Sequence, residues 1–258
     1  MKTITDGRGI YLDVDSFDTL TPISMFKLME YVREKIDSIH PGRVLKNIFV
    51  TYAREEKHPF CALTDNDVYV IGIYAKGYDE YQWLYQFAHE YMHLFIGNIA
   101  YKPQGKNGLW WFEETLCSLS SLYHYYRYMS EIPNANLISD SENKDKVQQL
   151  RPDSLLPCED PLQMNLESLR DIFRLPQCVT EPLPEYNPLE YEYYNACAKH
   201  LLRLFLEHPQ YWNIVLYMRN VRSFENISSF IDWLENHLSE EYQSLKPLIL
   251  VLRNVYMS

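Results

Sequence analysis

Hydrophobic and polar positions alternate with two different periods along this chain, and the changes of period divide it. Residues 10–14 (IYLDV) alternate apolar and polar, which predicts a short strand. In 23–39 the apolar residues recur at three and four and Pro41-Gly42 follows, which predicts an amphipathic helix ended by a breaker. Residues 44–52 (VLKNIFVTY) are β-branched and aromatic, hence a strand. Segments 59–63 and 68–74 flank Thr64-Asp65-Asn66-Asp67 and predict a hairpin with a polar turn. Residues 81–98 (YQWLYQFAHEYMHLFIGN) are apolar on most sides, lack proline and end on Gly97-Asn98, so they predict a buried helix of about four to five turns. After a loop at 101–108, residues 109–129 predict a second long helix.

Between 132 and 190 prolines recur from Pro133 to Pro188, with a polar tract at 139–146. That composition predicts an irregular covering segment, a surface linker or a substrate-shaping cover, with short helices at most, for example at 166–173. Helix-period apolar residues return in 191–206, 210–220, 228–239 and 240–255. The pattern therefore predicts an α+β fold: a small mixed sheet, two long helices, and a helical C-terminal part. The corresponding divisions are 1–131, 132–190 and 191–258.

Composition narrows the function. The 258 residues are 47% hydrophobic and 15% aromatic, with 22 Tyr, which excludes a disordered chain. A net charge of −11 supplies no counterion-release term toward phosphate backbones, so nucleic acid is not an expected partner. No stretch of ~18 apolar residues occurs, and the first residues carry no apolar signal core. No membrane partner and a cytoplasmic location are the expectations. Cys61, Cys117, Cys158, Cys178 and Cys197 are widely spaced with no C-x-x-C, which fits reduced thiols.

The chemistry concentrates in His89-Glu90-Tyr91-Met92-His93. Residues four apart share a helix face, so His89 and His93 project side by side, with Glu90 about 100° round at the edge of that face. Two imidazoles one turn apart can hold one Zn2+, and a carboxylate beside them can take a proton from water activated by the metal. With 8 His in the chain, H-E-x-x-H is expected by chance only roughly 0.02 times. Two His and a Glu on one apolar helix are also three partly desolvated polar groups that each need a partner. One metal ion satisfies them together.

A catalytic zinc takes three protein ligands and keeps one open position. Glu113 and Glu114, about twenty residues downstream, are the acidic residues of the next helix. An acidic first turn is also what the helix dipole favours. The H-E-x-x-H, a short connection and a helix opening W-x-x-E resemble the gluzincins, the group of thermolysin and the metal-dependent aminopeptidases. The slots that would mark a metzincin hold Ile96 and Ile99.

The resemblance covers residues 44–130 and implies a zincin-like fold with zinc as cofactor. It also implies a peptide or protein substrate and Glu114 as the third ligand, with Glu113 as the alternative. It implies further that the strand before the active helix, 68–74, is the sheet edge that pairs with extended substrate. In Tyr193-Tyr194-Asn195-Ala196 it implies Tyr193 as oxyanion donor, with Tyr194 as its neighbour and rival. Two positions depart from the family: Ser118 stands where thermolysin-like enzymes carry an Asp, and 68–74 has no acid where aminopeptidases anchor the substrate amine.

The expected activity is a zinc-dependent peptide-bond hydrolase with Glu90 as general base. The alternative is a catalytically silent zincin-like metal-binding interaction or scaffold protein. Trp110 and Trp111 can line a subsite or simply pack. His124 falls about 80° off the Glu114 face, which argues against a ligand, and His40, His58, His200, His208 and His237 lack matched partners.

Overall fold

The computed structural model describes residues 2–17, 22–39, 41–43, 45–75, 80–97, 109–132 and 188–257. The architecture is α+β, with a five-stranded open sheet and several helices. The strands are β1 (Thr3–Thr5), β2 (Ile10–Asp13), β3 (Ile48–Tyr52), β4 (Phe60–Leu63) and β5 (Tyr69–Ile73). The α-helices are α1 (Pro22–Asp37), α2 (Glu80–Ile96), α3 (Trp110–Glu131), α4 (Pro188–Glu207), α5 (Ile227–His237) and α6 (Lys246–Met257). The chain divides into two compact units, 1–100 with 120–156, and 101–119 with 157–258; the division falls within α3. The expected covering segment, including the helix at 166–173, lies almost wholly outside the described residues.

Inside the first unit the sheet order is β1-β2-β3-β5-β4. β2, β3 and β5 are parallel, and β1 and β4 run antiparallel at the two edges. This corrects the expectation that 68–74 is the edge: β5 is interior and β4 is the edge. Strand order depends on pairing between distant segments, and a local pattern does not encode it.

One sheet face carries Ile10, Leu12, Ile48, Val50, Ile71 and Ile73, all fully buried. On the other face Tyr11 is exposed. Such one-sided burial is what alternating strands provide. α2 lies against β4 and β5, and α1 lies against α2.

Local chemistry explains the boundaries. β3 starts at Ile48 rather than 44 because Asn47 takes φ +58, a left-handed conformation that interrupts an extended run. The hairpin turn closes with Thr64 N donating to Val68 O (2.9 Å) and Val68 N donating to Thr64 Oγ1 (3.2 Å). Gly72 sits opposite Phe60, whose ring fills the place a Cβ would need. α2 stops at Gly97, which takes φ +84 and whose N–H donates to His93 O at 2.9 Å. β1, three residues of which two are Thr, carried no usable period.

In the second unit α4 is followed by 3-10 segments at Pro209–Leu216 and Met218–Ser223, where a continuous helix over 210–220 was expected. The C-terminal expectation at 240–255 resolves into a 3-10 turn, Glu240–Leu245, and then α6, with Pro247 in the first turn where its missing N–H costs nothing. Asn226 caps α5 by accepting from Ser229 N at 2.9 Å. No helix of the described residues is long and apolar enough to cross a membrane.

Candidate metal centre

α2 carries the site because its sequence is apolar nearly all round, so the helix is buried and takes its polar residues in with it. His89, Glu90 and His93 retain 6%, 5% and 7% of their exposure. The two imidazoles stand side by side one turn apart in an edge arrangement, with ring centroids 5.0 Å apart and planes at 65°. α3 brings two carboxylates, Glu113 and Glu114, both buried. His89, His93 and Glu114 each offer a ligand atom, and these atoms all lie within 4.8 Å of one another. Glu114 is the carboxylate in that group; Glu113 is not a member.

The donor set fits a small divalent ion. Tetrahedral zinc with bonds of about 2.0–2.1 Å separates its ligand atoms by roughly 3.3 Å. Two imidazoles and a carboxylate are also the donor types of a catalytic rather than a closed structural site.

Two features hold α2 in place. Ahead of the motif, the Gln86 amide grips the backbone of Tyr74 just after β5: its Oε1 accepts from Tyr74 N at 2.7 Å and its Nε2 donates to Tyr74 O at 3.3 Å. On the far side of the helix, Tyr91 Oη donates to Asp37 Oδ1 at 2.7 Å. Asp37 accepts from Arg33 Nε (3.3 Å), and Arg33 also donates to Asp6 Oδ2 (2.9 Å), Arg8 O (2.8 Å) and Leu45 O (3.3 Å). Burial pushes the Tyr91 hydroxyl up, reinforced by the Asp37 charge. Burial also pushes the Asp37 carboxyl up, against the stabilising bonds from Tyr91 and Arg33.

α3 is held to α2 by serine hydroxyls. Ser121 Oγ donates to Tyr85 O at 2.7 Å, and Ser120 Oγ donates to Ala88 O at 3.2 Å. His124, expected not to be a ligand, is a buried histidine whose Nδ1 donates to Ser120 O at 2.6 Å, and burial pushes its pKa down to about 4. Ser118, in the slot where the resemblance expects Asp, has a buried hydroxyl with no hydrogen-bond partner among the described residues. Inside the second unit, Thr115 hydrogen-bonds the thiol of Cys197 on α4, whose pKa burial pushes up to about 12. Cys61 is half-buried, and Cys117 and Cys197 are buried.

The remaining expected residue, Tyr193, lies on α4 with its side chain outside the described residues. Tyr194 is on the same helix and buried. Sequence reasoning assigned no role to Gln86, Ser120 or Ser121. The signal was present in part: Gln86 is a polar residue three before His89 on an apolar helix, and the serines form a small-residue stretch one to two turns past Glu114. Compared with protein-family models, with curated proteins and with solved structures, the chain matches none.

Proposed function

We propose that this chain is a zinc-dependent peptide-bond hydrolase with a zincin-like fold and the gluzincin order of ligands. The observation that carries the reading is the buried His89, His93 and Glu114 group, with ligand atoms within 4.8 Å, beside a buried Glu90 on the same helix. A metal site that is purely structural has no use for a carboxylate at that position.

His89, His93 and Glu114 would hold the ion. Zn2+, when bound, supplies a Lewis acid that makes water acidic near neutral pH and polarises a carbonyl. Glu90 accepts the proton of the attacking water as the new C–O bond forms, and it delivers that proton to the leaving nitrogen as the C–N bond breaks. Tyr193, or Tyr194 beside it, donates to the developing oxyanion, a contribution typically worth ~3 kcal/mol.

The sheet edge favours an extended substrate. Thr64 pairs with Val68 through a ladder bond, so alternation along the antiparallel pair directs the backbone groups of Cys61 and Leu63 away from β5. A peptide strand can add there.

The test is metal analysis of protein purified without added zinc, followed by hydrolysis of a peptide library with and without chelator. About one equivalent of zinc and chelator-sensitive cleavage are expected. Cleavage that survives Glu90→Gln removes Glu90 from the mechanism. One equivalent of metal with no turnover on any peptide favours the second reading, a catalytically silent metal-binding interaction or scaffold protein.

A further inference from the structure

Ser120 and Ser121 are fully buried on α3, and both hydroxyls reach main-chain carbonyls of α2. A helical carbonyl has a second lone pair beyond its own helix bond, so it can accept such a donor. The contact requires close backbone approach, which small side chains permit. The two pairings run in opposite senses: Ser121 meets Tyr85, and Ser120, one residue earlier, meets Ala88 further along α2. The helices are therefore antiparallel along this seam, and two acceptors three residues apart fix both sliding and rotation.

That registration reaches the metal ligands. Glu114 lies seven residues before Ser121, so it shares a face of α3 with Ser121 and stands about 10.5 Å up the helix. The same advance on α2, starting from Tyr85, ends at Met92, inside the turn bounded by His89 and His93. Glu113 lies seven residues before Ser120 and so stands on the Ser120 line, and the same advance from its partner Ala88 ends at Phe95, beyond His93. The seam thus selects which of two adjacent glutamates meets the histidines, in agreement with the group of three ligand atoms.

We propose that Ser120 and Ser121 are positioning residues of the metal site, setting α3 on α2 so that Glu114 closes the ligand set. The proposal rests on the reading that His89, His93 and Glu114 bind a metal. It concerns how the third ligand is delivered.

The full chain is titrated with Co2+ and with Zn2+ against a competing chelator, in the wild type, Ser121→Ala, Ser120→Ala, Glu114→Ala and the Ser121→Ala/Glu114→Ala double variant. Thermal unfolding of each metal-free protein is recorded alongside. Wild type binds one equivalent. Ser121→Ala binds roughly tenfold more weakly, in the range for loss of a residue that orients a ligand, and its cobalt absorption changes. In the Glu114→Ala background the same change has no further effect on affinity, because the ligand through which it acts is gone. A purely structural role would instead give losses that add. Additive losses, or a Ser121→Ala affinity equal to wild type, overturn the proposal while leaving the metal reading intact. Absence of metal binding by wild type overturns the metal reading and the proposal together. If Ser121→Ala does not fold, the same cycle is read with Ser121→Cys, which keeps the volume and weakens the donor.

Discussion

On one side of α2, Tyr91 donates to Asp37, and Asp37 and Asp6 share the guanidinium of Arg33. On the opposite side, about 200° round the helix, His89 and His93 meet the carboxylate of Glu114, with Glu90 beside them. Both sides bury ionisable groups on the same apolar helix. The Arg33 side contains its own cation: Arg33 is 5% exposed and places four donor contacts on Asp6, Asp37 and two carbonyls. The His89 side gathers lone pairs at one point and has neither Lys nor Arg among its three members. A buried cluster that carries its opposite charge is a brace. A buried cluster of converging acceptors suits a cation, and the proposed function rests on that difference.

The largest expected effect separates chemistry from metal binding. Glu90→Gln keeps the size of the side chain and removes its basicity, so peptide hydrolysis falls by roughly 10²–10⁴-fold. Metal content stays at the wild-type level because Glu90 is not a ligand. Rate measurements paired with metal analysis check this, and a loss of both would merge Glu90 with the ligand set.

The brace predicts the converse. Arg33→Met leaves Asp6 and Asp37 without their cation, and removing one partner of a buried pair costs about 3–5 kcal/mol. Urea unfolding of the metal-free protein measures it. Folded Arg33→Met still binds metal. A stability change under ~1 kcal/mol would show that the brace is not one.

His124 offers a third kind of buried polar group, a histidine satisfied by its own helix. Its Nδ1 donates to Ser120 O, Lys35 opposes its protonation, Glu131 favours it, and burial dominates, taking the pKa from 6.5 to about 4. In the unfolded chain this imidazole takes up its proton near pH 6.5, whereas the folded protein refuses it until about pH 4. Stability is therefore full above the unfolded value and falls as pH drops between these limits, by about 3 kcal/mol in all. Unfolding of metal-free protein at several pH values, with His124→Gln as the comparison, should show that slope in the wild type and a shallower one in the variant.

The sequence was most legible where one residue's environment is set by its own helix. The period of α2, its Gly97 stop and the side-by-side histidines all follow from spacings of three and four. Spacing alone left Glu113 and Glu114 open, because they are equally near in sequence; the resemblance pointed to Glu114, and Glu114 is the carboxylate grouped with the two histidines. The interior place of β5 was lost for a similar reason, since it is fixed by pairing with β3 and β4 rather than by its own pattern. Arg33 and Asp37 stand four apart on α1 and were available as a pair. Their partners Asp6 and Tyr91, at separations of 27 and 54 residues, were not. Chain-local physics writes faces; long-range packing writes partners.

The smallest effect is also the sharpest test of whether the two sides of α2 are independent. Tyr91→Phe keeps the fully buried ring and its neighbour Phe87, with ring centroids 5.4 Å apart, and deletes only the hydroxyl that donates to Asp37. A hydrogen bond to a charged group contributes about 1.5–3 kcal/mol, and Asp37 retains Arg33, so a stability loss near the lower end is expected in urea unfolding. Metal affinity should stay within about twofold of wild type, less than the tenfold expected of a residue that orients a ligand. The rotation of α2 does not rest on Tyr91 alone: Gln86 grips both backbone groups of Tyr74 on the sheet side, one turn before His89 and Glu90. If Tyr91→Phe weakens metal binding tenfold while barely moving stability, the brace acts on the ligands directly. The two faces of the helix would then be one coupled site instead of a scaffold and a centre.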